Sequence, residues 1–122
     1  MGLNYFFDSY AIIEIVKENP KYEPYRNELA VLTIFNLAEI YWSALLDYTE
    51  EKAELIFQTY KNAVVEVDDE TLKEAILFRK EHKKRNLSYT DCIGYIYAKR
   101  NNLNFLTGDM QFEKMPFVEF VK

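Results

Sequence analysis

Glycine, proline and cysteine are scarce in this chain, and each shortage closes off a class of structure. Three Gly and three Pro in 122 residues leave little material for a linker, and there is no internal repeat or low-complexity tract. A single domain over residues 1–122 is the expectation. The lone cysteine, Cys92, excludes an internal disulfide, and no Cys/His pair has the spacing of a zinc site. The core must then come from ordinary side chains, and a hydrophobic share of 49% is enough to build one. A reducing, cytoplasmic setting is expected. No apolar run approaches the roughly 20 residues needed to cross a bilayer, so a soluble protein without a membrane partner is expected. Positive charge is in deficit: 15 basic against 20 acidic side chains give a net charge of −5. That balance argues against non-specific coating of nucleic acid and leaves room for a local basic path. Also missing are a Gly-rich phosphate loop and a nucleophilic Ser motif. His82, the one histidine, sits in a charged run and reads as solvated, and Cys92 reads as a small buried hydrophobe.

What the chain does have is an alternation of short apolar runs, rich in Val, Phe, Ile and Leu, with longer stretches of helical period. Runs at residues 3–7, 30–33, 63–67, 104–106 and 117–121 predict strands. Residues 9–18, 34–47, 50–61, 70–84 and 89–100 predict helices, with a further short turn after Pro24. Asn19-Pro20 is expected to stop the first helix. The alternation implies a parallel sheet with helices packed on it. In such a sheet the strand ends and the following helix starts collect along one edge, where ligands bind. Asp8, Asp91 and Asp109 come from three separate segments and are all sent to that edge.

Each acid also has a plain structural use. Asp8 precedes a helix whose first N–H groups need an acceptor. Ser88-Tyr-Thr-Asp91 matches a capping box, and Asp109 follows Gly108 in a tight strand exit where Asp bonds its own backbone. Glu39 shares a narrow polar stripe with Asn36, Ser43 and Asp47 on an otherwise apolar helix, beside Phe35, Trp42 and Leu46. Gathered together, uncompensated carboxylates would raise one another's pKa. A hard divalent cation, Mg²⁺ or Mn²⁺, is the economical neutraliser, with Ser9 and Thr107 adding hydroxyl hydrogen bonds to its waters.

Four segments, YFFDSYAII, LTIFNLAEIYW, LSYTDCIGYIYAKRNNLNFLTGD and DMQF, carry a resemblance by their order and spacing. The chain resembles the PIN domain family, small metal-dependent ribonucleases that include VapC-like toxins and archaeal relatives. The resemblance implies a three-layer α/β/α fold around a central parallel sheet of four or five strands. It implies Asp8, Glu39, Asp91 and Asp109 as catalytic metal-binding positions, and cleavage of single-stranded RNA with Mg²⁺ or Mn²⁺. Tyr10 departs from the family by replacing a small polar residue, and Gln111 by replacing an outer acid present in some members.

Arg79, Lys80, Lys83, Lys84 and Arg85 form a basic run at a helix end, favoured there by the helix dipole and by water. The functional alternative is contact between Lys83, Lys84 and Arg85 and RNA phosphates. Ten Tyr and nine Phe mostly predict core. Tyr22, Tyr25, Tyr41, Trp42 and Tyr48 are the candidates for a homodimer surface or a partner groove, and the resemblance implies both a homodimer and a cognate antitoxin. The rival from another class is a binding or scaffold protein on the same fold, its acids serving as caps and solvated surface.

Overall fold

The computed structural model describes residues 2–122. Three parallel strands form its sheet in the order β1-β2-β3. Strand β1 (Tyr5–Phe7) pairs with β2 (Asn104–Thr107), placing Phe6 opposite Phe105, and β2 pairs with β3 (Val118–Phe120), placing Leu106 opposite Glu119. Among the described residues the sheet therefore holds three strands, not four or five. Residues 30–33 and 63–67 do continue its pattern beyond β1: Phe7 N–H donates to the Val31 carbonyl at 2.8 Å, and Leu32 and Val64 make an isolated parallel bridge. They stop short of being strands because Thr33 already caps the next helix and Ala63 closes the turn that ends the preceding one.

Helix α1 (Ser9–Val16) ends earlier than the proline would require, because Glu18 takes a left-handed conformation at φ 61°. Helices α2 (Ile34–Asp47), α3 (Glu50–Lys61) and α5 (Tyr89–Arg100) have the expected bounds. Each begins on a hydroxyl cap, from Thr33, Thr49 and Ser88 respectively, which supplies the acceptor that free N–H groups need. Helix α4 (Asp69–Glu81) starts one residue before the expected position and stops before residue 84. There His82 leaves helical geometry, and Lys83–Arg85 form a separate 3₁₀ turn. The His82 ring stacks on Phe78 with centroids 4.1 Å apart, so it is half-buried rather than solvated. A 3₁₀ turn over Pro20–Tyr25 begins ahead of Pro24, not after it, since Pro20 suits a first position and Asn19 caps it. A last 3₁₀ turn covers Met110–Phe112.

Alternation along β1 divides the core between two layers, as a strand with both faces covered requires. Phe6 points to the α4–α5 side, where it stacks on Phe105 with centroids 5.8 Å apart. Phe7 points to the α1–α2–α3 side with Ile12, Leu37 and Leu106. Gly94 lets α5 approach the sheet, since a Cβ there would lie 2.7 Å from the Phe6 ring. Cys92 is fully buried, and burial pushes its thiol up to about 11, as expected of an inert packing residue.

The aromatic load divides unevenly. Tyr22 is wholly buried and donates from its hydroxyl to the Val121 carbonyl, so it belongs to the core and offers no partner surface. Tyr25, Tyr41 and Tyr48 are half-buried. Helix α2 departs from the expected pattern in part: Glu39 and Asp47 of its polar stripe are exposed and Leu37, Ile40 and Ala44 buried, but Asn36 of the stripe is buried while Ile34, Phe35, Trp42 and Leu46 are exposed. Among the described residues no helix is long and apolar enough to cross a membrane.

Candidate active site

Parallel pairing puts the ends of β1 and β2 side by side, and the residues that follow them meet. Asp8 directly follows β1, and its backbone N–H donates to the Leu106 carbonyl of β2 at 3.0 Å. One carboxylate oxygen, Oδ1, accepts from the Ser9 N–H at 2.9 Å, which is the cap role expected for it. The other, Oδ2, accepts from the Thr107 hydroxyl at 2.6 Å. That same Thr107 oxygen accepts from the backbone N–H of Asp109 at 3.1 Å. A single hydroxyl therefore ties Asp8 to the turn that carries Asp109, although the two acids are far apart in sequence.

Glu39 joins from α2. Its Oε1 accepts from the Ser9 hydroxyl at 2.6 Å, and the Asn36 amide donates to that hydroxyl at 3.0 Å. Asn36 is fully buried, and its Oδ1 accepts from both the backbone N–H and the hydroxyl of Thr33. Ser9 and Thr107 thus bond carboxylates directly, where hydrogen bonds to waters were expected. Sequence reading missed Asn36 as a site residue, assigning it to a solvated stripe. The available signal was its place three residues after Thr33, because a capping box holds an N3 side chain inward.

The other two acids are held locally. Asp91 Oδ2 accepts from the Ser88 N–H at 2.9 Å, and the Ser88 hydroxyl accepts from the Asp91 N–H, completing the expected box. Asp109 Oδ1 accepts from the Gln111 N–H at 3.0 Å. Gln111 is exposed where an outer acid was looked for, and its carbonyl accepts from Arg85 Nη1 at 3.1 Å. The basic turn Lys83–Arg85 is thereby pinned beside the Asp109 turn, with Lys83 and Lys84 exposed.

Electrostatics show that the acids share one field. Asp8 is only 3% exposed, and its carboxyl is pushed up to about 7, first by burial and then by the negative charges of Asp91 and Glu39. The Thr107 and Ser9 hydrogen bonds act in the opposite direction. Asp91 is also raised, by burial and by Asp109, against the pull of its Ser88 bonds. No cation contributes to either shift, and none of the four acids takes part in an ion pair among the described residues.

These acids are linked pairwise along one edge. Among the described residues, no three His, Cys, Asp or Glu side chains converge into a ready cage for an ion. The donor set nonetheless suits a hard divalent cation. All donors are oxygens, and one oxygen each of Glu39, Asp91 and Asp109 accepts no hydrogen bond among the described residues. The bonded oxygens orient the side chains and leave the others free, and an ion that keeps several waters needs only a few carboxylates.

The sequence model of the PIN domain matches residues 5–118. No curated protein matches the sequence. Among solved structures, the fold is similar to a toxin–antitoxin complex from Klebsiella pneumoniae, at 16% identity, 95% of this chain and 96% of that one, and a TM-score of 0.75. It is similar to VapBC2 from Rickettsia felis bound to a DNA fragment from the promoter, at 14% identity, 97% and 98% coverage and a TM-score of 0.73. It is also similar to PAE2754 from Pyrobaculum aerophilum, at 19% identity, 99% and 92% coverage and a TM-score of 0.72. At such identities the likeness speaks for the fold, and the match over residues 5–118 speaks for the family: this chain belongs to the PIN domain family.

Proposed function

We propose, from this membership, that the chain is a Mg²⁺- or Mn²⁺-dependent endoribonuclease that cleaves phosphodiester bonds of single-stranded RNA, and that it is the cytoplasmic toxin of a toxin–antitoxin pair. The observation that carries the reading is Asp8: a buried carboxylate, raised to about 7 by burial and two further acids, with no cation to offset it. A folded chain tolerates that arrangement when a proton or a bound cation relieves it.

Asp8, Asp91 and Asp109 would hold the ion, with Glu39 alongside; when bound, it supplies Lewis acidity for a phosphoryl oxygen and for water. The chain's own residues do the rest. Thr107 holds Asp8 and the Asp109 turn at a fixed separation, so both carboxylates are oriented before substrate arrives. Ser9 presents Glu39, whose second oxygen is available to orient a water or take its proton. Lys83 and Lys84, beside the Asp109 turn through Arg85, offset the repulsion between the acids and incoming phosphates. Incubating single-stranded RNA with the chain tests this: cleavage with Mg²⁺ or Mn²⁺, abolished by EDTA and by Asp8→Asn, is expected, and metal-independent or absent cleavage refutes it.

The exposed apolar face of α2, with Phe35, Trp42 and Leu46, supports a homodimer contact or a seat for an antitoxin segment. Toxin–antitoxin assembly is named for the Klebsiella relative, which has the same fold. A second reading has its own support, since Asp8, Asp91 and Asp109 each accept a backbone N–H at a helix or turn start. On that reading the chain is a non-catalytic binding or scaffold protein, and Asp8→Asn would leave every measured property except stability unchanged.

A further inference from the structure

Of the ten tyrosines, all among the described residues, Tyr89 alone is exposed, at 58%. It is held rather than loose. The Arg79 guanidinium carbon lies 4.2 Å from its ring centroid, and Arg79 Nε donates to the carbonyl of buried Leu87 at 3.0 Å. One face of the ring is thus backed by a fixed cation, and the exposure leaves the other face to solvent. The ring adds nothing to the core, since neither hydrophobic cluster includes it.

Its position gives that open face a use. Tyr89 is the first residue of α5 and Asp91 the third, so both belong to the first turn of the helix, with their side chains leaving it in different directions. The basic turn Lys83–Arg85 precedes it by a few residues and is tied to the Asp109 turn by Arg85. A cluster of carboxylates repels a phosphate backbone, so attachment through a base adds to what the phosphate contacts of Lys83 and Lys84 supply. Base stacking supplies that, and it tolerates any base because each has a π-face. A guanidinium behind the ring adds favourable positive charge. Stacking on a protein ring also requires an unstacked base, which selects single strands over duplex.

We propose that Tyr89, backed by Arg79, is a nucleobase platform that stacks one base of single-stranded RNA beside the phosphate presented to Asp91 and Asp109. It is a positioning residue, and the inference rests on the ribonuclease reading above. The test uses Asp8→Asn chains, so that RNA stays intact, with a short single-stranded oligonucleotide and Mg²⁺. In a Trp42→Phe/Tyr89→Trp variant the single indole reports from the platform, and its emission is expected to be quenched by the oligonucleotide but not by an abasic strand of equal length. Tyr89→Ala is expected to weaken binding by about 5- to 150-fold. Tyr89→Phe should restore it, and the slope of affinity against salt should be unchanged, because the ring carries no charge and neutralises no phosphate. Equal affinity for Tyr89→Ala together with a silent indole, in a chain whose Asp8 form cuts RNA, overturns the platform alone and points to a protein contact at this ring. A chain that neither binds nor cuts RNA overturns both readings.

Discussion

Asp8 and Glu39 are held by side chains from remote parts of the sequence, whereas Asp91 and Asp109 are held by backbone N–H groups two or three residues away. The first pair depends on Thr107, Ser9 and Asn36, reached across separations of 99, 30 and 27 residues. The second pair depends on Ser88 and Gln111, at separations of 3 and 2. Asp8 and Glu39 are therefore positioned by the completed fold, and Asp91 and Asp109 by their own helix or turn starts. Perturbing the first pair should change stability and activity together, while perturbing the second should separate them.

The largest expected effect is at Asp8. Asp8→Asn is expected to lower RNA cleavage by at least about 10²-fold, while the amide still accepts from Ser9 and faces Thr107. Its stability effect runs the other way. With the carboxyl raised from 3.8 to about 7, the native state keeps a proton that the unfolded chain has already released. Stability of the unmodified chain in EDTA is thus expected to fall as pH rises from about 4 to about 7 and then level off, and the Asn variant should lack that fall. Denaturant titrations across this range in both chains check it, and equally steep profiles would break the contrast. Added Mn²⁺ should raise the melting temperature of the unmodified chain and leave Asp8→Asn unmoved.

Asn36→Ala comes next. Removing the buried amide leaves the Thr33 N–H and hydroxyl without their acceptor and the Ser9 hydroxyl without its amide donor, at an expected cost of about 1–3 kcal/mol, read by urea unfolding. Cleavage should fall too, because Glu39 loses its anchored partner. At the second pair the two readouts come apart. Asp91→Ala is expected to lose about 0.5–2 kcal/mol of capping, whereas Asp91→Asn keeps an acceptor for Ser88 and near-normal stability yet loses cleavage. A stable and fully active Asp91→Asn would remove this acid from the site. The smallest stability effect, within about 0.5 kcal/mol, is expected for Lys83→Gln/Lys84→Gln. That variant should still flatten the salt dependence of RNA binding, by about 0.7 in log–log slope for each phosphate no longer neutralised.

The same local–remote contrast explains what could be read beforehand. The capping box at Ser88, the Asp109 turn and the bounds of α2, α3 and α5 are all set by neighbours within a few residues, and all were legible. So was the meeting of Asp8 with the Asp109 turn, since parallel strands leave their ends little choice. The strand count was not: an apolar run such as residues 63–67 gives no warning that the pairing will last for a single bridge. Nor was the inward turn of Asn36, whose helical stripe looked polar and outward, nor the burial of Tyr22, fixed by a hydroxyl bond to Val121 at the far end of the chain. In each case the deciding partner lies on another element.

Gly108 sits wedged between the Tyr10 ring and the carbonyl of Val121, and any larger residue there would strike both. The two obstacles differ in kind. Trimming Tyr10 would clear the ring but leave the Val121 main chain in place, so no second-site change in α1 can rescue a bulkier residue at this position. Genetic drift is thereby blocked at one step of the strand exit, whatever residue α1 carries at position 10.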